Sequence, residues 1–442
     1  MSAGLDDRVA NGLTAAEVAA RLGEMTPPLT PDEARVEADR CYYCYDAPCV
    51  EACPTGIDIP GFIRKISTGN LRGSAVTILE SNIFGGSCAR VCPTEVLCEE
   101  VCVRQVQQGK PVTIGSLQRH ATDFLMATGE HPFTRAPLTG RRVAVVGAGP
   151  AGLACAHRLA MLGHEVVVFE AKPKPGGLNE YGIAAYKVVD DFARREVEFI
   201  LGIGGITIEY GTPLGPDLTL DQLRGRFDAV FLGVGLADPN TLGIPGEDLP
   251  DVVDALGFIE TLRQSPAEAE AVVMGHVVVI GGGNTAIDAA TQARMLGAET
   301  VTIAYRRGPE HMGATKVEQD WAQTHGVTIR HWLTPVAVRG GFITFARTQL
   351  EGTRLVVTKE RVRAPADLVL TAIGQSLSDG PLIAGHELPA MARGRITIDD
   401  DYRTSLPGVF AGGDCVGEGE DLTVQAVAHG RDAAHAIDRY LT

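Results

Sequence analysis

The sequence predicts an α/β fold, in which two similar strand–glycine-turn–helix units follow an α-helical region crowded with cysteines. Three observations predict it. RRVAVVGAGPAGLACAHRLA and HVVVIGGGNTAIDAATQARML repeat one pattern about 135 residues apart. Short β-branched runs alternate with helical stretches from residue 141 onwards, the signature of a sheet with crossover helices. Eight of the ten cysteines fall between Cys41 and Cys102, with only Cys155 and Cys415 outside.

At 442 residues the chain is long enough for several domains, each with a core of its own. Hydrophobic residues at 45% and charged residues at 21% are those of a globular protein. The 52 glycines imply many tight turns and close backbone approaches to ligands. A net charge of −16 repels nucleic acid, and no basic stripe offsets it. MSAGLDDRVANGL lacks the basic and apolar parts of a signal peptide. No apolar run approaches the ~20 residues of a membrane span, so the chain reads as cytoplasmic. Disulfides rarely persist there, and crowded reduced thiols point to metal.

The elements follow in order. Thr14 with Glu17 and Thr30 with Glu33 are capping boxes, and Pro31 takes the favoured first helical position. Cys41 to about Ala127 reads as helical pieces and loops, and Gly129 to Gly140 as a linker. Strands are expected at Val143–Val146, Glu165–Phe169, Ala229–Leu232, Val277–Ile280, Val301–Tyr305, Asp367–Ala372 and Val409–Ala411.

Gly147-x-Gly149-x-x-Gly152 follows the first of these strands and opens a helix. The first glycine permits the turn, the second admits a pyrophosphate, and the third lets helix pack on strand. The phosphates then meet the free N–H groups of the helix N-terminus. Glu170 ends the next strand, where a carboxylate binds ribose hydroxyls. Alone the glycine motif is weak; with both strands, helix and acid it is specific. Near the C-terminus, FAGGD carries Gly413 and Asp414 out of an apolar strand. This resembles the end of the FAD domain in flavoprotein reductases with two dinucleotide sites, where that aspartate binds the ribityl chain. The FAD domain is then discontinuous.

The second unit has Gly281-x-Gly283-x-x-Ala286, and its next strand ends in Arg306 and Arg307 instead of an acid. Arginine there accommodates a 2′-phosphate, whereas a solvated pair, or Arg306 stacked on adenine, explains it equally. Nicotinamide binding follows in each case. Gly233-x-Gly235 and Ala372-Ile373-Gly374 also follow strands, and they read as crossovers between the two domains.

Cys41-x2-Cys44-x4-Cys49-x3-Cys53-Pro and Cys88-x3-Cys92-x5-Cys98-x3-Cys102 are spaced like ferredoxin cluster loops, in which one run lends a ligand to the other's cluster. Soft thiolates suit iron–sulfur clusters. Zinc, the competing metal, offers no redox partner. His120, His157 and His311 stand in no motif with a nucleophile or acid and read as structural.

Over nearly the whole chain these motifs, with KPKPGGLNEYGIAAYK and YRRGPEHM, resemble the dihydropyrimidine dehydrogenase family: the N-terminal half of the eukaryotic enzyme and the flavin/nicotinamide subunit of the bacterial one. The glutamate synthase small subunit is similar too. The resemblance implies two Rossmann-like dinucleotide-binding domains, one inserted in the other, behind a helical iron–sulfur domain at 1–128. The FAD domain would span 141–236 and 374–442, with NAD(P) bound by 237–373. It implies two [4Fe–4S] clusters, one on Cys41, Cys44, Cys49 and Cys102, the other on Cys53, Cys92, Cys98 and Gln118. Counting alone nominates Cys88 as the eighth ligand. Around FAD it implies Gly177, Leu178, Lys187, Gly413, Asp414 and Thr423. Around the nicotinamide nucleotide it implies Gly281, Gly282, Gly283, Asn284, Thr285, Arg306, Arg307, Ala372, Ile373 and Gly374. Two departures matter. Gly313 replaces an arginine of the NADPH-using enzyme, which favours NADH. Lys187 stands for an arginine near the flavin, either as a cation for reduced flavin or as a lysine snorkelling to solvent. No general acid or base is implied. The expected partner is an FMN- and iron–sulfur-containing subunit that binds the pyrimidine.

Overall fold

Residues 20–265, 275–378 and 388–442 are described by a computed structural model of the chain; the capping box at Thr14 and Glu17 lies outside them. The β-branched run RVAVV makes the central strand of a five-stranded sheet. Its order is Val409–Ala411, Ala229–Leu232, Arg142–Val146, Glu165–Glu170, Ile206–Tyr210. All neighbours are parallel, and the central residues are buried on both faces, as parallel strands between helices require. The expected strands match these bounds to within a residue. Ile206–Tyr210, largely exposed, carries no buried run and was not foreseen.

This sheet belongs to the larger of two compact units, Thr26–Glu180, Asp190–Asp238 and Ser376–Thr442. The edge strand Val409–Ala411 pairs with Ala229–Leu232, so chain from beyond residue 376 completes a sheet begun at residue 142. The last helix, Thr423–Leu441, lies along Pro150–Met161. The two approach so closely that a Cβ at Gly430 would stand 2.0 Å from the Ala151 carbonyl oxygen.

The cysteine-rich region forms the helices Pro31–Ala38, Ile59–Ser67, Leu71–Ser81, Gly85–Val91, Val103–Gln108 and Ile114–Thr128. The Thr30/Glu33 capping box forms as expected, with Glu33 accepting from the Thr30 N–H at 2.8 Å. Asp58 and Asn70 cap the next two helices through their side chains. A single hydrophobic core runs from Ile63, Ile78 and Leu117 of this region into Leu153, Phe231 and Ile437 of the nucleotide-binding part.

The smaller unit comprises Tyr181–Val189 and Pro239–Gln375 together with the first described residues. Its parallel sheet runs Val252–Asp254, Leu368–Ala372, His276–Gly281, Thr300–Tyr305, Val327–His331. A three-stranded antiparallel sheet follows, Leu333–Arg339, Phe342–Glu351 and Arg354–Pro365. The sequence did not announce it: Arg354–Pro365 is charged and half exposed, which hides its alternation.

The boundaries read from sequence set the cysteine region apart at 1–128, whereas the contacts join it to the discontinuous sheet. Leu22 is buried in the smaller unit's core, and Arg21 donates to the Leu296 carbonyl oxygen at 3.2 Å. Helical spacing does not say which unit a helix will pack on. Among the described residues no helix is long and apolar enough to cross a membrane.

Gly430→Ala should separate the helices Thr423–Leu441 and Pro150–Met161, destabilising the larger unit by about 1–3 kcal/mol through overpacking. Thermal unfolding beside wild type measures this; an unchanged Tm would contradict the close approach.

Candidate nucleotide and metal sites

At the first fingerprint, Gly152 lies over the turn: a Cβ there would stand 1.9 Å from the Gly147 carbonyl oxygen. A Cβ at Gly147, where φ is +98°, would meet the Gly233 carbonyl oxygen at 2.4 Å. The crossover Gly233-x-Gly235 is therefore packed against the fingerprint. Gly177 closes on Gly149, its Cβ position 2.8 Å from the Gly149 Cα. These contacts leave the helix beginning at Pro150 with its first amides bare of side chains, where an anion is favoured.

Glu170 is buried, and both its oxygens are held: Oε2 accepts from the Ala148 N–H at 2.7 Å and Oε1 from the Lys172 N–H at 2.8 Å. A carboxylate so fixed presents its remaining lone pairs at the mouth of the turn. Asp414 sits in a loop pinned by Arg395, which donates to the Asp414 carbonyl oxygen at 2.8 Å and to Asp421. Burial, with the Asp421 charge adding to it, pushes the Asp414 carboxyl up to about 6, and Arg395 pulls the other way. Gly413 donates its N–H to His429 Nδ1 at 3.1 Å. Thr423, at the start of the last helix, donates its hydroxyl to Asn179 Oδ1 at 3.0 Å, next to Leu178. The structure thus brings Thr423 to the Gly177–Leu178 loop. His429 and Asn179 were missed because neither lies in a recognisable spacing.

In the smaller unit, Gly281 is pressed against Ala372, its Cβ position 2.2 Å from the Ala372 carbonyl oxygen. A Cβ at Gly282 would lie 2.5 Å from the Tyr305 ring, while one at Gly283 would meet nothing within 4 Å. The open side of the turn is therefore at Gly283, just before Asn284 and Thr285 begin the helix Asn284–Leu296. Ile373 and Gly374 accept hydrogen bonds from Asn240. Arg306 and Arg307 are exposed, and among the described residues neither guanidinium forms an ion pair. Gly313 stands near the fingerprint: a Cβ there would lie 3.9 Å from the Gly282 carbonyl oxygen.

Lys187 does not snorkel. It is 8% exposed, and its Nζ contacts Asp288 Oδ1 at 2.7 Å and Glu318 Oε1 at 2.6 Å. The Tyr186 hydroxyl donates to the same Asp288 at 2.8 Å, and the Ala185 N–H donates to Gln292 at 3.0 Å. Burial lowers the proton affinity of Lys187, but the two carboxylates outweigh it, so the ammonium stays charged above its ordinary range. A cation for reduced flavin would here have its charge already compensated. The strap Tyr181–Val189 is instead an ionic latch onto the helix Asn284–Leu296.

Cys41, Cys44, Cys49 and Cys102 line one chamber, walled by Ile59, Ile63, Val112 and Ile114. Arg104 lies at its rim, 3.8 Å over the Tyr42 ring. Burial pushes the Cys49 thiol up to about 12, and the Cys41, Cys102 and Cys44 charges add to it. Cys41 is raised for the same reason, with Arg104 opposing. Four cysteines converging on an apolar chamber suit a positive centre, and soft iron meets that need. The donor set fits a cluster.

Cys53, Cys92 and Cys98 form a second group. Cys92 is raised by a hydrogen bond with Cys88, by burial and by the Cys88, Cys53 and Cys98 charges. Cys98 is raised by burial, then by Glu99, Cys53 and Cys49. Gln118 is 7% exposed and donates its Nε2 to the Gly85 carbonyl oxygen at 2.7 Å, at the first turn of the helix that ends at Cys92. Cys88 lies beside Cys92 and bonds Asn82 at 3.8 Å. Among the described residues no three His, Cys, Asp or Glu are arranged around a single ion. His157 is buried against His131, their Nε2 atoms 3.2 Å apart, and burial holds it well below the usual histidine range. His311 is exposed and bonded to Glu310.

Residues 141–430 match the family described as pyridine nucleotide-disulphide oxidoreductase. The chain belongs to that family. Residues 18–130 match dihydropyrimidine dehydrogenase domain II, 4Fe-4S cluster. The reductase is 38% identical over 421 residues to NAD-dependent dihydropyrimidine dehydrogenase subunit PreT of Escherichia coli K12, covering 95% of this chain and 97% of that one. It is 34% identical to the glutamate synthase [NADPH] small chain of the same organism, over 95% and 93% of the two chains. FprA of Mycobacterium tuberculosis in complex with NADPH shares the fold, with a TM-score of 0.57 at 20% identity over 69% of this chain and 85% of that one. The reductase is thus an NAD(P)H-dependent flavin oxidoreductase with an iron–sulfur domain.

Lys187→Met should leave Asp288 and Glu318 buried without their cation, costing about 3–5 kcal/mol in the smaller unit. Denaturant unfolding of the reductase would show it; an unperturbed midpoint would mean that the latch contributes nothing.

Proposed function

We propose that the chain is the electron-input subunit of a dihydropyrimidine dehydrogenase. It would move a hydride from NADH to FAD and single electrons through two [4Fe–4S] clusters to an FMN- and iron–sulfur-containing partner. That partner would interconvert uracil or thymine and their 5,6-dihydro forms. The observation that carries this reading is the grouping of Cys41, Cys44, Cys49 and Cys102 around one chamber, with Cys53, Cys92 and Cys98 gathered separately and Cys88 beside Cys92.

FAD, when bound, supplies the conversion of a two-electron hydride into single electrons. The chain's own residues bind, orient and shield. Gly147, Gly149 and Gly152 would admit the FAD pyrophosphate to the helix N-terminus, and Glu170 would take the ribose. Gly177, Leu178, Gly413 and Thr423 would line the flavin end, with Asp414 on the ribityl hydroxyls. Gly281 to Thr285 would hold the nicotinamide nucleotide, with Ala372, Ile373 and Gly374 beneath it. Arg306 and Arg307 would meet the adenosine end, where Gly313 in place of an arginine favours NADH. Cys41, Cys44, Cys49 and Cys102 would ligate one cluster, and Cys53, Cys92, Cys98 and Gln118 the other. Lys187 would act by latching its strap.

A glutamate synthase large subunit is the second acceptor to consider, favoured by the 34% identity to that enzyme's small chain. Isolating the tagged chain anaerobically from its own cells, identifying the copurifying protein and assaying uracil- or thymine-dependent oxidation of NADH and NADPH separates the two. An FMN-containing partner with pyrimidine-dependent turnover is expected; a glutaminase-type partner would overturn the proposal.

Two measurements test the sites. Iron analysis should find one cluster lost in Cys49→Ser and both kept in Cys88→Ser; a loss in Cys88→Ser would transfer the eighth position from Gln118. Asp414 must be ionised to accept from two hydroxyls, so FAD affinity should fall as pH drops through about 6. Flavin fluorescence on release follows this, and Asp414→Asn should bind weakly without that pH dependence.

A further inference from the structure

The helix Gly85–Val91, which leads into Cys92, starts against a carboxylate that no sequence motif announces. Glu196, on the helix Phe192–Leu201, is 1% exposed. Its Oε1 accepts from the Ser87 N–H at 2.9 Å and its Oε2 from the Ser87 hydroxyl. Gly86 leaves no gap between the helices: a Cβ there would lie 2.5 Å from the Phe192 ring and 2.8 Å from Glu196 Oε1.

The charged groups facing Glu196 are few. Arg90, from the same helix as Ser87, lies 3.5 Å over the Phe192 ring and donates to the Gly86 carbonyl oxygen at 3.0 Å. Behind it Asp123, of the helix Ile114–Thr128, accepts from Arg90 at 2.8 Å and from Arg119 at 3.2 Å. Arg195, beside Glu196 on its own helix, turns to the Phe192 ring at 5.6 Å. Gln118 reaches Gly85 in the same turn. Burial pushes the Glu196 carboxyl up to about 7, with the Ser87 and Gly86 amides, the Ser87 hydroxyl and Arg90 pulling it back.

We propose that Glu196 is a redox-linked proton acceptor, taking up one proton from solvent for each electron delivered from reduced flavin to the iron–sulfur centre of Cys53, Cys92 and Cys98. The proton returns to solvent when that electron leaves. The proposal rests on those three cysteines being ligands. The helical stretch from Ser87 to Cys92 spans only about 7.5 Å at 1.5 Å per residue. Glu196 is buried and Cys92 half-buried, so charge added at one is only partly screened from the other. An added electron therefore raises the proton affinity of Glu196. Between its oxidised-state and reduced-state pKa values, the midpoint potential falls as pH rises; above both it is flat.

The test is a redox titration of the FAD- and cluster-loaded protein, followed by electron paramagnetic resonance between about pH 6 and 9, in wild type, Glu196→Gln and Ser87→Ala. In wild type one centre's midpoint should fall with pH, by up to about 59 mV per tenfold change in proton concentration. Glu196→Gln still accepts from the Ser87 amide and should give a flat midpoint at the wild type's low-pH value. Ser87→Ala, with one donor fewer on the carboxylate, should move the break to higher pH. Flat wild-type midpoints, a slope surviving in Glu196→Gln, or a centre that resists reduction even at the lowest pH would overturn the proposal. Iron analysis of Cys92→Ser is a separate check: both centres retained there would defeat the ligand assignment itself.

Discussion

Close backbone approach is the constraint on which the larger unit depends. The Gly147 turn touches Gly233, the helix at Gly152 sits on that turn, and the last helix at Gly430 sits on Ala151. At each contact a β-carbon would lie inside van der Waals distance of a carbonyl oxygen. These contacts fix the height of Pro150–Met161 above the central strand. The helix's unpaired first amides then stand at the end of the sheet, where an anionic ligand is favoured. They also seat Thr423–Leu441 beside it, which brings Thr423 to the Gly177–Leu178 loop.

A second constraint is charge in a dry interior. Cys41, Cys49, Cys92 and Cys98 are all raised by burial and by neighbouring cysteines. Such a set is a poor apolar core and a good ligand set, because a positive centre removes both penalties at once. Lys187 solves the same problem without metal, by placing its ammonium between two carboxylates. Glu196 solves it with amides, a hydroxyl and Arg90, and the balance is close enough to leave its carboxyl near neutrality.

The cysteine region and the flavin-type sheet share one core, and side chains stitch them at several places. Arg431, on the last helix, donates to the Thr55 carbonyl oxygen at 2.6 Å and to the Ser81 carbonyl oxygen at 2.8 Å. Thr55 in turn contacts Cys53 at 3.2 Å. The cysteine loop is anchored in this way to the last helix of the larger unit. The helical iron–sulfur region is thus built as a layer of the flavin unit.

The sequence by itself determined the two fingerprints, the crossover glycines, the acids at Glu170 and Asp414 and the cysteine runs. Each of these is a local pattern in which backbone geometry dictates residue type at fixed spacing. The resemblance of FAGGD to the end of a flavoprotein FAD domain implied the discontinuous sheet, and the pairing of Val409–Ala411 with Ala229–Leu232 realises it. Only the tertiary structure decided the antiparallel sheet from Leu333, whose last strand, Arg354–Pro365, is charged and hides its alternation. It alone decided that Leu22 and Tyr181–Val189 join the smaller unit, that Lys187 meets Asp288 and Glu318, and that Glu196 caps the helix before Cys92. These are contacts between residues far apart in the chain, set by which faces pack together, and no periodicity within one segment encodes them.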